Sequence, residues 1–160
     1  MIAILTISDT RTVEDDRSGA TIRDMAEAAG HRIATYEIVR DEVEAIRRAA
    51  RRALGKAEIF ALICTGGTGF AVRDVTPEAL GPLIDRDIPG FGEMFRVLSH
   101  DDIGSSTVQS RAFAGVADGR LVFGLPGSTG ACRLAMEALI LPQLDPEHRP
   151  CNFREILVPR

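Results

Sequence analysis

The segment Thr65-Gly66-Gly67-Thr68-Gly69 packs three glycines and two threonines into five residues, directly after Ile59 to Cys64, the most apolar run of the chain. Glycines in such a place leave backbone N–H groups uncovered, and those groups, backed by a following helix N-terminus, cradle phosphate. The same composition also suits a tight strand-to-helix turn that needs positive φ. Asp74 lies nine residues past the start of this loop, and Asp41 ends the second alternating run, so the two can reach one sheet edge. Each has a plain structural role open to it. Asp41-Glu42-Val43-Glu44 has capping-box spacing, and Asp74 precedes a turn into a helix. As a pair beside a phosphate loop, the two carboxylates would instead hold a magnesium ion jointly with substrate phosphates. Ser8-Asp9 reads as an Asx-type turn that also sits at a strand's carboxyl end. Ser110-Arg111 presents either a surface arginine or a guanidinium fork matched to an anionic group.

Familiar catalytic templates fail on this chain. The phosphate loop G-x-x-x-x-G-K-[ST] is absent, because the one lysine stands in Gly55-Lys56-Ala57. The dinucleotide fingerprint fails at Val72, and Pro126 breaks the nucleophile elbow around Ser128. His31, His100 and His148 lack H-E-x-x-H spacing and read as surface or capping residues. Nothing points to a hydrolase with a serine or cysteine nucleophile. Arg47, Arg48, Arg51 and Arg52 read as the solvated face of one helix, with Glu44 spaced to pair with Arg48.

Composition narrows the classes further. The 160 residues suit one domain, and 23 acidic against 19 basic residues leave a net charge of −4. Such a chain lacks the basic stripe that nucleic-acid binding requires. Cys64, Cys132 and Cys151 are odd in number and far apart, which reads as reduced thiols in a cytoplasmic protein. No segment approaches the ~20 apolar residues that span a bilayer, so no membrane partner is expected.

The elements that must position these residues follow from periodicity. Ile2 to Ile7 reads as a buried strand, and Ser18 as the cap of a helix ending at Gly30. A second strand is expected over His31 to Val39, then a helix through Val43, Ile46, Ala50, Ala53 and Leu54, then a strand over Ile59 to Cys64. Thr76-Pro77-Glu78 has the form of an N-cap, a proline at the first helical position and an acid in the first turn. Another helix is expected over Phe91 to Leu98. Asp118-Gly119, between Ala112 to Val116 and Leu121 to Leu125, predicts a hairpin, and Ala131 to Leu141 predicts a helix too apolar for one buried face. Alternating strands and helices predict an α/β domain with a mostly parallel sheet and one antiparallel strand.

Several segments in order carry a resemblance that covers the whole chain. They are Ala3-Ile4-Leu5-Thr6-Ile7-Ser8, Glu14-Asp15-Asp16-Arg17-Ser18-Gly19, the Thr65 to Gly69 loop, Asp74-Val75-Thr76-Pro77-Glu78-Ala79, Gly90-Phe91-Gly92-Glu93-Met94-Phe95-Arg96, Ser110-Arg111-Ala112, Pro126-Gly127-Ser128-Thr129 and Arg149-Pro150-Cys151-Asn152-Phe153. Together they resemble the MoaB/MogA family of molybdenum cofactor biosynthesis proteins, and the last two resemble its MoaB branch. The resemblance implies one three-layer α/β/α molybdopterin-binding domain over residues 1–160, assembled as a trimer or hexamer. It implies adenylylation of molybdopterin with ATP and Mg2+ and release of pyrophosphate, with Asp41 and Asp74 catalytic and metal-binding. Thr65, Gly66, Gly67, Thr68, Gly69, Gly127 and Ser128 then hold phosphate or nucleotide, and Ser8, Glu93, Ser110 and Arg111 are candidates for the pterin or its phosphate. Other molybdenum cofactor enzymes are the implied partners. Two other readings stay open: a non-catalytic protein that holds molybdopterin for a partner, and a general nucleotide-binding regulator.

Overall fold

In the computed structural model, which describes residues 1–157, six strands form one sheet in the order β2-β1-β3-β6-β5-β4. The strands are β1 (Ile2–Ile7), β2 (Ile33–Val39), β3 (Ala61–Thr65), β4 (Arg86–Asp87), β5 (Phe113–Ala117) and β6 (Arg120–Leu125). The pairs β1·β2, β1·β3 and β3·β6 are parallel, whereas β5 runs against both β4 and β6. The expected mixed sheet with one antiparallel strand is therefore present. Asp118 and Gly119 take φ of 50° and 71° in the β5–β6 connection. These left-handed values at both central residues make the turn whose twist matches a hairpin.

Helices cover both faces of the sheet, because β1, β3 and β6 are buried on both sides. On one face Ile2, Ile4, Ala61, Ile63, Leu121 and Phe123 pack with residues of α1 (Arg17–Ala28), α4 (Pro89–Ile103) and α5 (Thr129–Ala135). On the other, Ala3, Leu5, Leu62, Cys64 and Val122 pack against α2 (Val43–Leu54) and α3 (Thr76–Leu80). Alternate residues of each strand thus serve opposite layers, the three-layer arrangement that a two-residue side-chain period dictates. After α5 the helix widens into a π-helical turn (Met136–Ile140) and continues as α6 (Leu141–Leu144). Pro142 has no N–H to donate and its ring would strike the carbonyl one turn back, which accounts for the widened turn ahead of it. A last helix, α7, covers Phe153–Leu157.

Several local expectations need correction. Asp16, not Ser18, caps α1 by accepting from the Gly19 N–H at 3.0 Å, and that helix ends at Ala28. The second strand starts at Ile33 and the third runs from Ala61 to Thr65. No capping box opens α2, whose Glu42 makes no side-chain cap bond. Thr76 is not the cap of α3. Its hydroxyl instead donates to the Gly66 carbonyl at 2.9 Å. Helix α4 extends to Ile103, five residues past the expected end. Glu44 pairs with Arg47 at 2.7 Å, not with Arg48.

Asp16 is 1% exposed and sits where β1, β2 and α1 meet. Its carboxylate accepts from Thr6 Oγ1 at 2.5 Å and Tyr36 Oη at 2.7 Å as well as from Gly19, and Arg11 stands 3.3 Å away. Burial works to raise the carboxyl's pKa, but these four donors together outweigh it and hold it below the ordinary aspartate value. A carboxyl depressed in the fold stabilises at pH values above its unfolded pKa of about 4 and ceases to do so as pH falls through the folded value. Thermal denaturation should show a loss of Tm below about pH 4 that Asp16→Asn largely lacks, with the variant about 2 kcal/mol less stable at pH 7 because donors lose their acceptor.

Candidate functional site

The carboxyl ends of β1, β3 and β6 converge, and the loops that leave them are held by backbone rather than by side chains. Gly66 takes φ of 104°, and a Cβ there would collide with the Ile7 carbonyl. Its N–H donates to the Leu125 carbonyl at 3.0 Å, and its Cα lies 3.4 Å from where a Gly127 Cβ would stand. Only glycine fits at position 66. Thr65 ties the same two loops together, donating to the Pro126 carbonyl at 2.9 Å with Cys132 Sγ 3.1 Å away. Ser18 Oγ and Arg11 Nη2 then donate to the Gly127 carbonyl at 2.7 and 3.1 Å. The glycine loop and the Pro126-Gly127-Ser128 loop therefore form one braced unit.

Both predicted carboxylates face this unit. Asp41 Oδ1 lies 3.0 Å, and Asp74 Oδ2 2.7 Å, from the points that Cβ atoms at Gly67 and Gly69 would occupy. Asp74 Oδ2 also accepts from the Ala71 N–H at 2.8 Å. Partial burial raises the Asp41 pKa, and the neighbouring charges of Asp9 and Asp74 add to that against the opposing Arg73. Arg73 is itself paired with Asp9 at 2.5 Å. A carboxyl raised first by burial and then by like-charged neighbours gains from a cation placed beside it. Among the described residues no group of three or more His, Cys, Asp or Glu side chains stands close enough to hold a metal alone, so further oxygens would have to come from a ligand.

The other predicted residues divide. Arg111 donates Nε to the Gly69 carbonyl at 2.8 Å and Nη2 to the Asp74 carbonyl at 2.6 Å, pairs Nη1 with Glu78, and lies 5.1 Å from the centre of the Phe70 ring. Its fork thus shapes the loop from beneath. Ser8 Oγ accepts from the Arg11 N–H at 3.2 Å, the start of the segment that braces Gly127. Ser128 caps α5 by accepting from Ala131 N at 3.3 Å. Thr68, Gly69, Ser110 and Ser128 line one cleft of about 360 Å³. Glu93 is not brought to it and faces another surface with Arg96 and Val97.

Sequence reasoning missed the far wall of that cleft, which α4 and the 3-10 turn after it (Gly104–Gln109) supply through Phe95, Ser99, Asp102, Ser106 and Gln109. The signal was present in the spacing of Phe95, Ser99 and Asp102, which places them on one helix face. It was unreadable while the helix was taken to end at Leu98.

Comparison with known proteins agrees with this fold. Residues 3–146 match the family described as "Probable molybdopterin binding domain". The chain is 51% identical over 152 residues to molybdenum cofactor biosynthesis protein B of Escherichia coli K12, covering 95% of this chain and 89% of the relative. The corresponding protein of Bacillus subtilis is 50% identical over 142 residues, 88% of this chain and 84% of its own length. Among solved structures, a crystal structure of a molybdenum cofactor biosynthesis protein B superposes with a TM-score of 0.87 at 48% identity, covering 89% of each chain. The tungsten cofactor synthesizing protein MoaB of Pyrococcus furiosus gives 0.77 at 33% identity, over 85% of this chain and 87% of that one.

The raised pKa of Asp41 has a sign that can be tested. A carboxyl whose pKa is higher in the fold than in the unfolded chain costs stability once pH exceeds both values. Asp41→Asn should therefore raise the Tm at pH 7, by up to about 2 °C, and the gain should vanish below about pH 4, where Asp41 is protonated in both states.

Proposed function

The chain belongs to the molybdenum cofactor biosynthesis family, and we propose that it transfers the adenylyl group of ATP to molybdopterin. In this reaction a terminal phosphate oxygen of molybdopterin attacks the α-phosphorus of ATP. A new P–O–P bond forms, the bond between the α-phosphorus and its bridging oxygen to the β-phosphate breaks, and pyrophosphate leaves with that electron pair. The nucleophile is already an anion, so no general base is needed, and the failure of every serine and histidine template fits.

The observation that carries the reading is the convergence of Asp41 and Asp74 on the glycine loop. Bringing two phosphate anions within about 4 Å costs roughly 4 kcal/mol per charge pair at an effective dielectric near 20. The backbone N–H groups of Gly67, Thr68, Gly69 and Gly127 answer part of that repulsion by binding phosphate oxygens. Asp41 and Asp74 offer the hard oxygen donors that magnesium takes, with substrate phosphates completing its shell. Bound there, Mg2+ supplies positive charge to the phosphates. Asp41 and Asp74 would hold that ion against the loop, while Arg111 keeps Gly69 and Asp74 in register through their carbonyls.

The proposal includes a cytoplasmic trimer or hexamer that hands its product to other molybdenum cofactor enzymes. Met94, Val97 and Val108, exposed large apolar side chains, are surface that such an assembly would cover. A protein that merely stores molybdopterin would have no use for two repelling carboxylates beside a phosphate loop. Asp74→Asn should lower the rate of pyrophosphate release from ATP and molybdopterin by ~10²-fold or more while ATP binding measured by calorimetry persists. Near-normal turnover in that variant would sink the adenylylation reading.

A further inference from the structure

We infer that the cleft between α4 and α5 takes the pterin ring and that Asp102 selects it, an inference that rests on molybdopterin being the substrate. The cleft opens at Thr68 and Gly69 of the glycine loop and is walled by Phe95, Ile103 and Leu134. A flat bicycle suits its volume of about 360 Å³ and its apolar walls. Among the described residues no lysine, arginine or histidine lines it, and Asp102 is the one ionisable side chain that does. A single carboxylate there repels a phosphate chain, whereas Asp41 and Asp74 are a pair that can share a cation with phosphates, so the triphosphate belongs on the side of the loop that those two face.

The chemistry of the two rings then decides between them. The pyrimidine edge of a pterin presents two adjacent donors, the ring N3–H and the 2-amino group. Asp102 offers two acceptor oxygens at matching separation, a paired and charge-assisted arrangement. Adenine presents its 6-amino donor next to the N1 acceptor. One carboxylate oxygen would be satisfied and the other set against a lone pair. Asp102 therefore admits the pterin and turns the adenine away, which orders the two substrates across the loop: pterin in the cleft, nucleotide on the acidic side, and their phosphates meeting at Gly66 to Gly69.

Fluorescence titration of the full chain with pterin and with lumazine, which carries an oxygen in place of the 2-amino group, tests the assignment. Wild-type protein should bind pterin about tenfold more tightly than lumazine, the discrimination expected of one charge-assisted hydrogen bond. Asp102→Asn should lose that preference and weaken pterin about tenfold, Asp102→Glu should restore most of it, and ATP affinity and Tm should stay unchanged in both. If wild type binds pterin and Asp102→Asn keeps the same affinity and preference, the role of Asp102 is overturned while the molybdopterin reading stands. If wild type binds neither pterin nor molybdopterin, both fall together.

Discussion

The whole arrangement turns on one close approach of main chain to main chain. Where β1, β3 and β6 end, Gly66 passes so near the Ile7 carbonyl and Gly127 that no side chain can stand between them. Two loops from neighbouring parallel strands are thereby brought into backbone contact, and the Gly66 N–H seals it by donating to the Leu125 carbonyl. Parallel sheets concentrate loops at the carboxyl ends of their strands. Here the glycine contact converts that general tendency into a rigid pair of loops. The Thr65, Thr76, Ser18 and Arg11 hydrogen bonds brace the contact rather than create it.

Charge is arranged around this contact with unequal care. Asp16 is saturated with donors and buried, so its negative charge is consumed in holding β1, β2 and α1 together. Asp41 has no such shell and feels Asp9 and Asp74 nearby. One aspartate is a structural joint, and the other is a site left short of positive charge. On the proposed function, an acidic protein receives anionic substrates through positive potential that is local: loop N–H groups and a cation held by the unsatisfied carboxylates.

Much of this is legible in the sequence. Strand identity followed from runs such as Ile2 to Ile7, because residues buried on both faces leave no polar alternation. The hairpin followed from Asp118-Gly119, because few dipeptides accept two left-handed residues in succession. The approach of Asp41 and Asp74 to the Thr65 to Gly69 loop was likewise readable. What escaped was fixed by distant partners. Thr76 has every local mark of a helix cap, yet a carbonyl ten residues earlier claims its hydroxyl. Arg111 has the look of an anion-binding residue, yet three donors of its guanidinium go to the loop and Glu78. The end of α4 was misjudged because Ser-His-Asp-Asp continues a helix only where Ser99 and Phe95 find burial, and so the cleft wall stayed hidden.

The antiparallel strand β5 has a temporal consequence. Because it runs opposite to its neighbours, its first residues lie at the ligand end of the sheet, and this alone lets Arg111 reach the Gly69 and Asp74 carbonyls, 42 and 37 residues away in the chain. Contacts across such separations demand loop closure and form after local structure. The glycine loop leaves the ribosome early and yet must wait for the β5–β6 hairpin to dock before it takes its working shape. The loop takes its braced shape only where the first residues of β5 and the end of β3 come together.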